Sequence, residues 1–345
     1  MATQSIIIIG AGIIGACIAH RLSRTGAKVT LIDSEDAPGL GVSAASFGWI
    51  TTAAGDPELP EHVYRQRLQA IDDYIALDRE FAGRLLAPGG GAIVWGASEE
   101  ETLDWADRHA ERGSTVRLLA SAGITELEPM IARPPALAAH FPREKAVDVR
   151  RACAMLAHAA RDSDAEIILG HQVGALETEG GRVTGVRLTG RTVAADRVIV
   201  AAGAGSAALV AGVIPDHGIT TSPAALVTLD VDAGRLSHIV DGGGVEIRSR
   251  GNGELIAACS VRQDADEAAR AALAAHVLSR TRQLFPALDN PRVKKVEIGQ
   301  RPFLADDRPL VSTTQHVEGL YLAVAHPGVI LAPEISRQVA ELMAQ

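Results

Sequence analysis

The chain has 345 residues, nearly half of them apolar, and a formal net charge of −9. That is enough chain for one large or two closely joined domains with a real core. The acidic balance without a basic block excludes a nucleic-acid partner, because phosphate contacts need clustered Lys and Arg. Cys17, Cys153 and Cys259 stand far apart with no CxxC spacing. They exclude a zinc site and a disulfide framework, and predict three reduced, buried thiols in a cytoplasmic protein.

The N-terminal apolar run has no basic region before it and ends in a glycine turn, so it reads as a strand and not a leader. Ile6–Ile9 is a continuous β-branched run, the pattern of a strand buried on both faces. Residues Gly10 to Gly15 turn this strand into a helix predicted to run to about Thr25. Gly26 ends it as a C′ glycine, and Lys28–Ile32 is the second strand of a βαβ unit. A loop rich in Gly, Ala and Ser follows from Pro38 to Gly48. A long amphipathic helix is predicted from Glu61 to about Leu86, a short strand at 92–95, and a charged helix from Glu99 to Arg112. Further on, 149–160 reads as a helix and 166–169 as a strand. Two strands flank Glu179-Gly180-Gly181, a hairpin signal. A buried strand at 197–201 follows. Residues Val198 to Ile214 are apolar, but three glycines lie within them and Asp196 and Asp216 flank them, which fits a strand, turn and helix better than a membrane span. Alternating strand-like segments occupy about 220 to 260, with a helix at 264–285. A strand at 320–324 and a helix from about 329 to 343 close the chain.

Gly10-Ala11-Gly12-Ile13-Ile14-Gly15 fits G-x-G-x-x-G between a strand and a helix. Gly10 allows the tight turn, Gly12 admits a pyrophosphate close to the backbone, and Gly15 lets helix and strand pack closely. The free N–H groups and positive dipole of the helix start, at Ile13 and Ile14, favour phosphate. Asp33, with Ser34 beside it, ends the second strand at the distance expected for a ribose contact, which disfavours a 2′-phosphate. This motif alone is shared by FAD and NAD proteins.

Four segments together resemble the D-amino-acid oxidase superfamily of flavoenzymes, closest to its glycine oxidase and sarcosine oxidase branches. The first is the βαβ unit. The second is Ser43-Ala44-Ala45-Ser46-Phe47-Gly48, similar to the family's small-residue loop past the pyrophosphate and flavin. The third is Arg197 to Ser206, which resembles the strand that returns to the nucleotide. It contributes Ala201, Ala202 and Gly203, and Val173 matches a position whose backbone contacts adenine. The fourth comprises Gly299-Gln300-Arg301-Pro302, Asp306-Asp307-Arg308-Pro309-Leu310, Gly319-Leu320-Tyr321 and Ala325-His326-Pro327-Gly328-Val329-Ile330-Leu331-Ala332-Pro333. In the family this last helix begins beside the flavin, so Gly328 and the N–H groups of Val329, Ile330 and Leu331 are implied to stabilise charge on the reduced ring. Asp307 and Ala325 stand where the family commonly has glycine, and Ala224-Ala225 where it has Gly-Gln. No cysteine near Gln300 matches the covalent attachment point of the sarcosine oxidase branch, so non-covalent FAD is expected.

The resemblance implies an α/β fold with a discontinuous Rossmann-like FAD-binding domain (residues 1–50, 146–215 and 300–345). An antiparallel-sheet-plus-helix substrate domain (51–145 and 216–299) is inserted into it. It implies oxidation of a small amine or amino acid to an imine, with electrons passing to oxygen or another acceptor. Arg301 is implied to grip a substrate carboxylate, the alternative being a salt bridge to Asp306 or Asp307. His326 could touch the cofactor or be structural, and Trp49 could line the substrate side or the core. Glu246 and Arg248 lie on an alternating strand and are expected to face solvent. The histidines lack metal-ligand spacing, so no metal is predicted. No general base is assigned, and an oligomer is compatible with the sequence. Two other readings are an NAD-dependent dehydrogenase and a non-catalytic flavin-bearing subunit of a complex.

Overall fold

The computed structural model describes residues 4–251, 253–304, 310–313 and 317–344. Asp306, Asp307, Arg308 and Pro309 therefore lie outside the described residues. The chain divides into two units: unit 1 comprises 1–44, 149–222 and 299–345, and unit 2 comprises 45–148 and 223–298. No helix among the described residues is long and apolar enough to cross a membrane.

Unit 1 is built on a six-stranded sheet. Its strand β1, Ser5–Ile9, pairs in parallel with β2, Lys28–Ile32, on one side and with Arg197–Val200 on the other. The four isoleucines of β1 are all at most 4 % exposed, and each contributes on the order of 1.5–3 kcal/mol of burial. Glu166–Ile168 extends the sheet beyond β2, and Leu320–Val324 extends it beyond Arg197–Val200, both in parallel. Leu310–Thr313 closes the far edge antiparallel. Helix α1, Ile13–Leu22, carries Gly, Ala and Cys between its larger residues. It packs against the helices Val149–Asp162 and Gly328–Met343. The first of these buries Ala152, Cys153, Leu156, Ala157 and Ala160, a stripe at helical spacing whose small members allow a close approach. A three-stranded antiparallel sheet, Val173–Glu179, Arg182–Leu188 and Arg191–Ala194, completes the unit. Cys17 and Cys153 form no disulfide and are buried, and Cys259 of unit 2 forms none and is only partly buried. Burial pushes the Cys17 thiol up to about 12, so it is an inert packing group.

Unit 2 is centred on an eight-stranded sheet, in the order Arg292–Leu304, Ile219–Asp230, Glu254–Ser260, Val245–Gly251, Ile239–Gly242, Ala92–Val94, Leu137–Phe141 and Arg117–Ala120. The first and second of these strands each run across a unit limit in sequence. Ile239–Gly242 and Ala92–Val94 pair in parallel. One face packs Val227, Leu229, Ile247 and Ala257 with Val277 of the helix Glu267–Leu284. The other buries Phe47, Trp49, Phe141, Leu226 and Ile256.

Three sequence expectations change. The helix begun at Glu61 ends at Glu80, short of Leu86. Ala82 and Gly83 take positive φ there, and Asp78 Oδ1 accepts the N–H groups of Leu85 and Leu86 at 2.8 and 2.9 Å. These bonds pull the chain out of the helix. Helix α1 stops at Leu22 and tightens into a 3₁₀ turn, Ser23–Thr25, before Gly26 at φ 85°. The 13-residue strand Arg292–Leu304 lies where no element was expected.

A buried polar chain ties the start of unit 2 together. The Glu144 carboxylate, 2 % exposed, accepts from Thr51 Oγ1 at 2.9 Å, from Thr52 N and Ala53 N at 2.8 Å each, and from Thr52 Oγ1 at 3.2 Å. The chain continues through Ser114 Oγ and Tyr64 OH to His109 Nδ1, each step 2.7 Å. Burial pushes the Glu144 carboxyl up to about 7, against the pull of these donors, and burial pulls His109 down to about 4, so that ring is neutral. Glu144→Ala strips the acceptor from buried donors and is expected to cost about 3 kcal/mol in urea unfolding. A cost below about 1 kcal/mol would contradict the assigned role.

Candidate functional site

The turn between β1 and α1 is fixed by backbone approach. Gly10 has φ 104°, and an added Cβ there would lie 2.5 Å from the Ala201 carbonyl oxygen. A Cβ at Gly15 would lie 1.8 Å from the Gly10 carbonyl oxygen. Neither position admits a side chain. Gly12 caps α1 in an extended conformation without a side-chain cap, and the first turn carries no acid. Among the described residues the N–H groups of Gly12, Ile14 and Gly15 find no acceptor. The Ile13 N–H donates to Ser43 Oγ at 3.1 Å. A row of donors at an uncapped helix start forms an anion cradle.

The other unit 1 residues singled out from the sequence gather at the same sheet end. Asp33 Oδ2 accepts from Ala11 N, and its Oδ1 accepts from Glu35 N at 2.9 Å. The carboxylate is thereby aimed along the turn, with lone pairs left for a hydroxyl. Ser34 is exposed in the following loop, and Ala44 N donates to Gly41 O in the loop that carries Ser43. Ala201 N donates to Ile9 O at 2.8 Å, and Gly203 begins a short 3₁₀ turn after Ala202. Val173 is buried at the start of its hairpin strand.

The closing segments form a second cluster within unit 1. The Arg301 guanidinium lies 5.4 Å from the Phe303 ring centroid, and its Nη2 donates to Ser222 Oγ at 3.3 Å. The His326 ring lies against the same Phe303 ring, with centroids 4.3 Å apart and planes tilted by 35°. Burial lowers the Arg301 pKa from its ordinary value, and a guanidinium remains charged even so. The last helix starts at Gly328, where an added Cβ would lie 3.3 Å from Ile14 Cδ1. The starts of the first and last helices are therefore neighbours. The Leu331 N–H is already committed to the Pro327 carbonyl at 3.2 Å, while half-buried Val329 and buried Ile330 occupy the first turn ahead of it. Ala45, Ser46 and Trp49 belong to unit 2.

The family model for FAD dependent oxidoreductases (DAO) matches residues 5–342. The chain belongs to this family. Its curated relatives include the "Uncharacterized oxidoreductase YurR" of Bacillus subtilis, 28% identical over 99% of this chain and 95% of that protein. They also include a glycine oxidase of Bacillus licheniformis, 22% identical over 98% and 92%. Among solved structures, the iminodiacetate oxidase of Chelativorans sp. BNC1 superposes with a TM-score of 0.85 at 24% identity, over 99% of this chain and 95% of that one. The glycine oxidase of Bacillus cereus superposes at 0.84 and 21% identity, over 99% and 95%. The protein is an FAD-dependent oxidoreductase, and the NAD-dependent and non-catalytic readings fall with that assignment.

The cradle at Gly10, Gly12 and Gly15 fits the pyrophosphate of FAD, and the Asp33 carboxylate fits its ribose. Unit 2 holds two surprises for the sequence reading. Trp49 is 5 % exposed and packs edge-on against Phe47 at 6.3 Å in an apolar cluster, which favours a core role. Glu246 and Arg248 do not face solvent. Arg248 is 2 % exposed and donates to Phe47 O at 2.9 and 2.6 Å and to Val147 O at 3.0 Å, tying three segments of unit 2 together. Glu246 lies beside Asp241 of the neighbouring strand, in direct cross-strand register. The alternation is real, but both sheet faces are covered, so alternation there separates two interiors.

Two measurements check these assignments. Gly12→Val places methyl groups in the cradle and should abolish retention of flavin absorbance through gel filtration while circular dichroism is kept; full retention would contradict the cradle. Burial, reinforced by Asp241, pushes the Glu246 carboxyl up to about 8, and burial alone pushes Asp241 up to about 6. Both hold protons in the folded chain that the unfolded chain releases, so their stabilising contribution is lost as pH rises through about 6 and about 8. Glu246→Gln should therefore gain at least about 1.4 kcal/mol on the unaltered protein between about pH 5 and about pH 9. A difference in unfolding free energy that does not change with pH would contradict this.

Proposed function

We propose that this oxidoreductase oxidises the carbon–nitrogen bond of a small amine or amino acid, with unit 1 holding FAD non-covalently. The observation that carries the reading is the cluster of Arg301, Phe303 and His326 at the same unit that bears the glycine cradle. Relatives named glycine oxidase and iminodiacetate oxidase act on amino acids and support the same class. The bound FAD supplies a two-electron acceptor for oxidation of the C–H beside nitrogen to an imine, which water hydrolyses, and the electrons pass on to oxygen or another acceptor.

The chain's own groups bind and orient. The planar Arg301 fork offers two parallel N–H donors to a carboxylate, which fixes the neighbouring carbon in one place. The Phe303 ring and Ser222 hydroxyl hold the guanidinium in that geometry, and His326 braces Phe303. The N–H of Ile330 and the dipole of the last helix favour negative charge at its start. No side chain is assigned as a general base, because a neutral amine needs none.

The test is an anaerobic titration of the FAD-loaded protein with amino acids and N-methyl amines, followed by flavin absorbance. Bleaching by at least one member is expected. Arg301→Ala should raise the concentration needed for half-bleaching about 30-fold or more for carboxylate-bearing members, as expected for the loss of about 2 kcal/mol from a charged hydrogen-bonded pair. Amines without a carboxylate should be little affected. An equal loss for both kinds would remove Arg301 from the substrate contact, and inertness across the panel would overturn the reaction class.

A further inference from the structure

One edge of the eight-stranded sheet in unit 2 is the strand Arg117–Ala120, which pairs antiparallel with Leu137–Phe141 and has no strand on its other side. In such a ladder alternate residues turn their N–H and C=O groups outward. Among the described residues no main-chain group of Arg117, Leu118 or Leu119 bonds outside that pairing. Arg117, Leu118 and Ala120 are exposed, Leu118 by 45 %. The opposite edge, Arg292–Leu304, is finished differently. It carries Arg292, Lys294 and Lys295 at its exposed end, with Arg292 and Lys294 held in ion pairs to Asp232, Asp230 and Glu254. Charges along an edge keep further strands away. Arg117–Ala120 has an unbroken register, no proline and a single charge, so its edge is left open.

The helix Glu99–Glu111 packs over this strand and its neighbour. It buries Thr102, Ala106 and His109, and Ala106 lies with Ala139 in one apolar cluster. Leu118 is paired with Ala139 and so stands on this covered face, while Leu119 packs with the cluster on the opposite face. The outer side of the helix shows Glu99, Glu100, Asp107 and Glu111, all exposed and without an ion-pair partner among the described residues. Its cations are taken: Arg108 pairs with Glu58 and Asp104, and Arg112, which follows the helix, pairs with Glu61. Three large apolar side chains are exposed among the described residues, and two of them, Leu103 and Leu118, belong to this helix and this strand. An open strand edge is thus rimmed by uncompensated negative charge. A second copy of the chain fits it poorly, because joining two such edges brings two acidic helices to one seam.

We propose that the edge Arg117–Ala120 binds an extended, basic segment of another protein, which joins the sheet as an added strand. Main-chain hydrogen bonds to the outward groups hold the segment in register. Its side chains alternate between the two faces. Those on the helix face are Lys or Arg, whose stems cover Leu118 while their charged ends reach the acids of Glu99–Glu111. Those on the other face are apolar and lie beside Leu119. This surface is separate from the proposed reaction and holds or fails whether or not any amine is turned over.

The experiment titrates the FAD-loaded full chain into an end-blocked, red-dye-labelled peptide of alternating lysine and valine, six residues long, and follows fluorescence anisotropy. Saturable binding is expected. A fully N-methylated analogue keeps the charge but cannot donate main-chain hydrogen bonds, and should bind about tenfold more weakly or worse. An analogue with glutamate in place of lysine should not saturate. Leu118→Lys, which guards the edge, and the combined Glu100→Gln, Asp107→Asn and Glu111→Gln variant should each weaken binding about fivefold or more, with cooperative unfolding in urea as the check on the fold. Sedimentation without peptide should give the same size for the unaltered chain and for Leu118→Lys. Absence of saturable binding would overturn the proposal. Equal binding of the N-methylated analogue would reduce it to charge attraction and overturn it too, as would an assembly of chains that Leu118→Lys dissociates, since a second copy would then be the occupant.

Discussion

The Gly10 backbone passes so near Ala201 that no atom larger than hydrogen fits between them, and Gly15 sits equally close to Gly10. This double contact sets the depth at which α1 enters the sheet of unit 1. Because α1 starts there, its N–H groups point across the end of β1 at the level of the Asp33 carboxylate. The last helix starts beside the same point, with Gly328 against Ile14. Two helix starts, each with a positive dipole, thus lie together at one end of the parallel sheet. Small residues throughout α1 and the helix Val149–Asp162 are the packing consequence, since larger ones would lift α1 away from β1.

Unit 2 solves a different problem. Its sheet is covered on both faces, and yet it carries Arg248, Glu246, Asp241 and Glu144 away from solvent. Arg248 and Glu144 are satisfied: one donates to main-chain carbonyls, the other accepts main-chain and hydroxyl hydrogens. Each substitutes for secondary structure where irregular segments meet, because a charged group can serve several orphan backbone partners at once. Among the described residues Asp241 and Glu246 have no such partners. Burial raises both pKa values, and Asp241 raises that of Glu246 further against the pull of Arg248.

Much of unit 1 was legible because its constraints are local. The β-branched run of β1, the three glycines and Asp33 are close in sequence, and each is demanded by backbone geometry. The cluster of Arg301 and His326 was reachable only through resemblance, since they stand 25 positions apart in sequence and Phe303, which joins them, carries no motif. Unit 2 was read less well. Short elements such as Arg117–Ala120, Ser121–Leu127 and Lys145–Val147 span too few residues for a periodic signal. Burial of Glu246 and Arg248 was missed because alternation shows which residues share a face but says nothing of what covers it. The triad of glycines ahead of Val245 was the available hint, since such a turn tightens the hairpin that sets Asp241 opposite Glu246.

The central claim is that the cradle at β1 and α1 belongs to FAD. Calorimetric titration of the flavin-free protein with FAD, and separately with NAD, tests it most directly. Saturation at one FAD per chain with no heat from NAD is the predicted result, and saturable binding of NAD in place of FAD would contradict the account.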